Sequence, residues 1–359
     1  MAVALAPDDV VRTHAEGARN AREPLLVIEP LLEFLAANGL DSPSELEAAA
    51  IGYGHSNVTF SLSTGVVLRR PPRGPLPPSA HDVLREARLL QALEPTPVRA
   101  PKVLAVCDDP TAIGAPFYVM ERVEGVVVTD KLPRPLDNPE QRERIADELV
   151  EALVELHGVD WRAEGLEGFG KPTGYLERQL RRFSGLWEHN RTRDLPEVER
   201  TYEWLAAHLP ESPPATIVHG DYRLGNTMLA AGAPARLVAI FDWEMATIGD
   251  PLADLGYLMI HWLEPSDRPI GSFNLQSVTT LPGFPTRQQL IARYEERSGR
   301  SMHALNWYVT LALWKAVVFM EGNYKRALAG STDDPFLRTF GESVVALARR
   351  AAEVTEHGF

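Results

Sequence analysis

The residues with the clearest chemical content lie in VHGDYRLGNTML, where Asp221 is followed five positions later by Asn226, and in RLVAIFDWEM, where Asp242 closes an apolar run. A carboxylate and an amide oxygen at that spacing in a loop can converge on one site. A second carboxylate at a strand end can be presented to the same place. Two carboxylates and one amide oxygen are hard oxygen donors suited to Mg²⁺, which keeps other positions for water and phosphate. This is the equipment of phosphoryl transfer, in which one carboxylate accepts the proton of an acceptor hydroxyl and the cation offsets charge on the transferred group. Glu244, two residues beyond Asp242, is an alternative oxygen donor.

These loops need elements to position them. Residues 24–38 (PLLVIEPLLEFLAAN) carry apolar positions at helical spacing and stop before Gly39, which predicts a helix ahead of the first sheet. LEAAAIGYG, NVTFSLST and GVVLRR read as three strands of an antiparallel meander, and HDVLREARLL as an amphipathic helix. VLAVCDD and APFYVMERVEG supply two further strands. The chain turns helical from Glu140 to His157 and stays mostly helical, with Trp307–Met320 as a buried helix too short and too charged to span a bilayer. The expected division is an N-terminal helical extension over 1–47, a sheet lobe over 48–124 and a helical lobe over 125–359.

The 359 residues carry 36 Lys plus Arg against 49 Asp plus Glu, a net charge of −13 that argues against a nucleic-acid partner. The excess is uneven: residues 1–220 hold 23 basic and 34 acidic side chains, residues 221–359 hold 13 and 15. The single cysteine, Cys107, excludes an intrachain disulfide framework and fits a reducing compartment as core filler. The N-terminal residues do not read as a secretory signal, so a cytoplasmic location without membrane contact is expected.

HGD followed by four residues and Asn, then DWE and DPLADL, resembles the aminoglycoside phosphotransferase and choline kinase group. HSNVTF, VLRRPP, SAHDVLREARLL, GAPFYVMERVEG and HGDYRLGN are most similar to the kinase-like domain fused to some acyl-CoA dehydrogenases. The resemblance implies an α+β, protein-kinase-like bilobal fold: a small lobe with a five-stranded antiparallel sheet and one main helix, and a larger helical lobe. It implies Asp221 as catalytic base, Asn226 and Asp242 as Mg²⁺ ligands, and ATP as co-substrate.

By the same resemblance, Gly52, Gly54, His55, Ser56 and Asn57 form a loop over the phosphates. Arg69 occupies the place of the strand-three lysine of kinases, with Glu86 as its partner. Arginine keeps the charge but its fork differs from an ammonium. Strand alternation then sends Arg70 to the opposite face, toward solvent. Glu121 and Val123 would bind adenine through their backbone. His219 is expected to support the loop, Asp250 to cap the helix that begins at Pro251, and Asp254 to buttress the catalytic loop. The acceptor is a small-molecule hydroxyl, with His261, Trp262, Trp307, Trp314 and Glu321 conspicuous in the helical lobe, although aromatics at helical spacing more often build core. An acidic pocket for a polycation is not indicated, and a hydroxy acid or its CoA thioester is favoured by resemblance over an aminoglycoside, macrolide or choline-like amine. A catalytically weak nucleotide-binding fold is the alternative, and monomer and homodimer both fit.

Overall fold

The structure is a computed structural model that describes residues 5–51, 57–74, 81–273, 277–331 and 334–359. The chain divides into two compact units, Met1–Glu124 and Gly125–Phe359.

In the first unit, β1 (Val10–Val11) pairs in parallel with β2 (Leu26–Val27), with the short helix α1 (His14–Gly17) between them and α2 (Ile28–Ala37) following. The main sheet holds β3 (Ala48–Ile51), β4 (Val58–Leu62), β5 (Val66–Arg70), β6 (Val103–Cys107) and β7 (Phe117–Glu121), with α3 (Val83–Leu93) inserted after its third strand. The strand order is β3-β4-β5-β7-β6 and every neighbouring pair is antiparallel. Asp82 caps α3 by accepting the Arg85 N–H at 3.0 Å.

The helix expected from residue 24 begins at Ile28, because Pro30 has no N–H and is tolerated only in the first turn. Leu26 and Val27 instead pair with Val10 and Val11. The side chains of Leu26, Leu31 and Leu35 are fully buried in one core with Phe60, Leu68, Phe117 and Val119, each burial stabilising by roughly 2 kcal/mol. Residues 25–35 therefore cover one face of the sheet. Cys107 lies in the same core, where burial pushes its thiol upward in pKa.

That cover corrects the expectation for Arg70. Alternation does place it on the face opposite Arg69, but this face is the one roofed by residues 25–35, and Arg70 is only 3% exposed. Its guanidinium donates to the carbonyl oxygens of Leu25, Pro71 and Ile113. Burial pushes its pKa down to about 10, with Arg73 adding to the effect, so it remains charged at neutral pH.

The second unit opens with β8 (Val126–Val127) and α4 (Pro139–His157), whose start is fixed by Asn138 accepting the Gln141 N–H and by proline at the first position. Helices α5 (Tyr175–Asn190) and α6 (Pro196–Ala207) follow. The small strands β9 (Thr216–Val218), β10 (Thr227–Leu229), β11 (Leu237–Ile240) and β12 (Thr247–Gly249) form two patches: β11-β10-β8 and β12-β9. Then come α7 (Leu252–His261), α8 (Arg287–Ser298), α9 (Leu305–Leu328) and α10 (Phe340–His357). The stretch Trp307–Met320 lies inside α9, which packs on α7, α10 and α5. Among the described residues no helix is long and apolar enough to cross a membrane. Close approach of α7 and α9 requires Gly256, where a Cβ would stand 2.7 Å from the Tyr308 backbone.

Two variants test this packing by denaturant melting. Arg70→Ala strands the Leu25 and Ile113 carbonyls and is expected to cost about 3 kcal/mol; a loss below about 1 kcal/mol would show that the cation is not the anchor of the extension. Gly256→Ala forces α7 from α9 and is expected to cost about 2 kcal/mol, whereas an unchanged midpoint would contradict the close contact.

Candidate active site

The loop after β9 takes its shape from a carboxylate that arrives from α7. Asp254, fully buried, accepts the backbone N–H groups of His219 and Gly220, each at 2.7 Å. Its Oδ2 also lies 3.2 Å from Nε2 of His157 at the end of α4, and Nδ1 of His157 is 2.7 Å from the Tyr294 hydroxyl. Burial pushes the His157 pKa down against the pull of Asp254. Gly220 adopts φ +86°, and a Cβ there would stand 2.9 Å from Met245, so glycine is required by both conformation and space.

His219 turns both ring nitrogens inward. Nδ1 accepts the Asp221 N–H at 3.2 Å and Nε2 lies 2.9 Å from the Phe241 carbonyl. Those partners put the proton on Nε2 of a neutral ring and leave it as a bracket between the loop and β11. Asp250 is likewise structural: it sits one residue before the Pro251 N-cap of α7, which begins at Leu252 rather than Pro251, and accepts the Leu252 N–H at 3.0 Å and the Tyr308 hydroxyl at 2.7 Å.

Asp221 and Asn226 are in direct contact. The Asn226 Nδ2 donates to the Asp221 carbonyl at 2.8 Å and to its Oδ2 at 2.7 Å. The other carboxylate oxygen, Oδ1, is buried and accepts no hydrogen bond among the described residues, although Arg223 Nε lies 3.4 Å away. The Asn226 carbonyl accepts the Phe241 N–H at 2.8 Å, extending the β10–β11 pairing in which Thr227 faces Ile240. Asp242 thus leaves the hairpin at the same end as Asn226, in a left-handed conformation at φ 66°.

This donor set fits a hard cation. With its amide nitrogen committed to Asp221, Asn226 has Oδ1 to offer, and Asp242 contributes a carboxylate. Among the described residues no three His, Cys, Asp or Glu side chains gather to hold a metal by themselves. An ion there would share its shell with water and phosphate, as Mg²⁺ does.

In the first unit, Arg69 Nε donates to Glu86 Oε2 at 2.9 Å and its Nη1 to Thr59 Oγ1 at 3.1 Å. Glu86 is 3% exposed. Asn57 is also buried and its amide reaches the same Glu86 oxygen at 3.5 Å. Gly52, Gly54, His55 and Ser56 lie outside the described residues. Glu121 ends β7, its N–H donating to the Lys102 carbonyl at 2.9 Å, and Val123 follows in an irregular stretch.

The conspicuous aromatics of the second unit are core. The indole N–H groups of Trp262, Trp307 and Trp314 donate to the carbonyls of Pro285, Leu205 and Val198. Glu321 binds Thr192 and Arg193. His261 differs: its Nε2 is buried without a partner among the described residues, its ring lies tilted against those of Tyr257 and Phe273, and burial lowers its pKa to about 3. Burial and the charge of Asp221 push the Tyr257 phenol well upward. Sequence reasoning passed over Arg223, Tyr257 and His157. Arg223 stood two residues from Asp221 and could have been found, whereas His157 is joined to Asp254 across 97 positions and gave no local signal.

The profile of the phosphotransferase enzyme family, APH, matches residues 47–289. Acyl-CoA dehydrogenase family member 10 of Mus musculus is 34% identical over 327 residues, covering 89% of this chain and 30% of that protein. Family member 11 of Homo sapiens is 33% identical over 337 residues, covering 92% and 42%. The chain thus spans less than half the length of these relatives. Among solved structures, a Ralstonia eutropha protein described as an aminoglycoside phosphotransferase superposes with a TM-score of 0.79 at 29% identity, over 92% of this chain and 98% of that one. Macrolide 2'-phosphotransferase type I gives 0.57 at 19% identity, over 89% and 95%, which speaks for the fold alone. A profile over most of the chain, relatives above 30% identity and a shared architecture lead to one conclusion: the chain belongs to the phosphotransferase enzyme family and has the protein-kinase-like fold.

Proposed function

We propose that the protein is a small-molecule kinase that transfers the γ-phosphate of ATP to a hydroxyl of its acceptor. The observation that carries this reading is the Asp221 carboxylate, one oxygen pinned by Asn226 and the other buried beside Arg223 and Tyr257. Asp221 Oδ1 takes the proton of the acceptor hydroxyl as that oxygen bonds to the γ-phosphorus. The bond from phosphorus to the bridging oxygen breaks and ADP leaves. Asn226 Oδ1 and Asp242 would hold Mg²⁺, which would supply the neutralising charge. Arg69, oriented by Glu86 and Thr59, grips the α and β phosphates, with Gly52, Gly54, His55, Ser56 and Asn57 proposed as further phosphate-binding residues. Backbone groups of Glu121 and Val123 take the adenine.

The acceptor proposed is a hydroxy acid or hydroxyacyl-CoA. The acyl-CoA dehydrogenase names of the relatives support it, as does the near-neutral balance of residues 221–359, which suits a polycationic aminoglycoside poorly. Macrolides and choline-like amines are the competing acceptors. Arginine in the lysine position favours a second reading, a nucleotide-binding fold of weak or no turnover.

A panel of hydroxylated metabolites, including hydroxyacyl-CoA esters, assayed for ADP release separates these readings. Asp221→Asn is expected to lower kcat about 10³-fold with ATP affinity unchanged, and full turnover by this variant would sink the assignment. Arg69→Met and Glu86→Gln are each expected to weaken MgATP binding about tenfold or more by calorimetry; unaltered affinity in both would remove the pair from the nucleotide site.

A further inference from the structure

The seam between α5 and α9 brings together cations and a buried N–H that no side chain among the described residues answers. Lys315, half-buried on α9, places its Nζ 4.8 Å from the centre of the Phe183 ring on α5. The guanidinium carbon of Arg182 stands 5.9 Å from the same ring. Among the described residues neither cation has a carboxylate partner. One turn beyond Phe183, the Trp187 indole N–H is buried and donates to nothing among the described residues. Arg178, one turn before Arg182, is spent on the carbonyls of Lys171 and Thr173 and offers no neutralisation.

Two like charges drawn to one ring, with a third donor nearby, repel one another and gain little from the ring alone, since a cation–π contact is worth about 0.5–2 kcal/mol. Burial pushes Lys315 down to about 8, Arg182 adds to that push, and only Asp254 opposes it. A partly desolvated cation without a counter-ion is an unfavourable arrangement for a purely structural residue. A bound anion facing both charges removes the penalty.

We propose that Lys315 and Arg182 form a binding site for a small anionic group, a carboxylate or a phosphate. Leu186 and Phe319, each one turn along from these cations on its own helix, are exposed at 36% and 67%. They give the seam an apolar flank, so the ligand is amphipathic: an anionic head with an apolar body beside it. On the reading given under Proposed function the anion belongs to the acceptor, and in that one respect the inference rests on that reading.

The test is a thermal melt of the full chain with saturating MgADP, which occupies the α and β phosphate positions, and with inorganic phosphate or butyrate as separate probes. One probe or both should raise the Tm of the unsubstituted protein by about 2 °C at tenfold saturation. A response to phosphate alone assigns a phosphate-bearing ligand, and a response to butyrate assigns a carboxylate. Lys315→Met should melt higher than the parent without probe, since it removes an unpaired charge, and should lose the shift. Arg182→Gln, at an exposed position, keeps the fold intact and should lose most of it. No shift with either probe, or a full shift retained in Arg182→Gln, overturns the proposal. Loss of the MgADP response with the anion response kept would sink the nucleotide reading and leave this one standing.

Discussion

A carboxylate in a protein interior is tolerated only when its charge is met by donors. Asp254 meets that condition by using one side chain to tie three parts of the second unit together: the loop after β9 through two backbone N–H groups, the end of α4 through His157, and α7 from which it projects. The position of Asp221 follows from this, because the two amides held by Asp254 immediately precede it. His219 then fixes the same loop to Phe241, and so to the hairpin that ends in Asp242. The groups that would touch a cation are thus set by groups that would not.

The first unit solves a parallel problem with opposite charge. Arg69 and Arg70 are adjacent on one strand, and both are removed from bulk water. Arg69 is balanced by a buried glutamate and a threonine hydroxyl. Arg70 has only carbonyl oxygens, from its neighbour Pro71, from the segment that covers the sheet and from the turn that contains Ile113. A cation satisfied by dipoles ties the N-terminal segment to the sheet without an ion pair. Lys315 has neither remedy among the described residues.

The negative total charge of the chain has little to do with its chemistry. Most of the excess lies before Asp221, on surfaces where single charges contribute little. The charges that matter are those whose solvation the fold has changed: Asp254 and Glu86 with partners, Asp221 pinned through one oxygen by Asn226, and Lys315 with no carboxylate partner among the described residues.

Much of the architecture could be read directly from residue order. The five strands, the helix after the third, and the spacing of Asp221, Asn226 and Asp242 are local patterns, set by alternation, by helical periodicity and by the reach of a short loop. The start of α2 was also within reach, since Pro30 forbids an earlier turn. Alternation correctly sent Arg70 to the far side of the sheet, but it carries no information about what covers that side, and the cover comes from residues some forty positions earlier. The pairing of His157 with Asp254 and the meeting of Lys315 with Phe183 join helices far apart in the chain. Such contacts depend on how amphipathic faces pack, a property of the whole fold that no window of sequence contains.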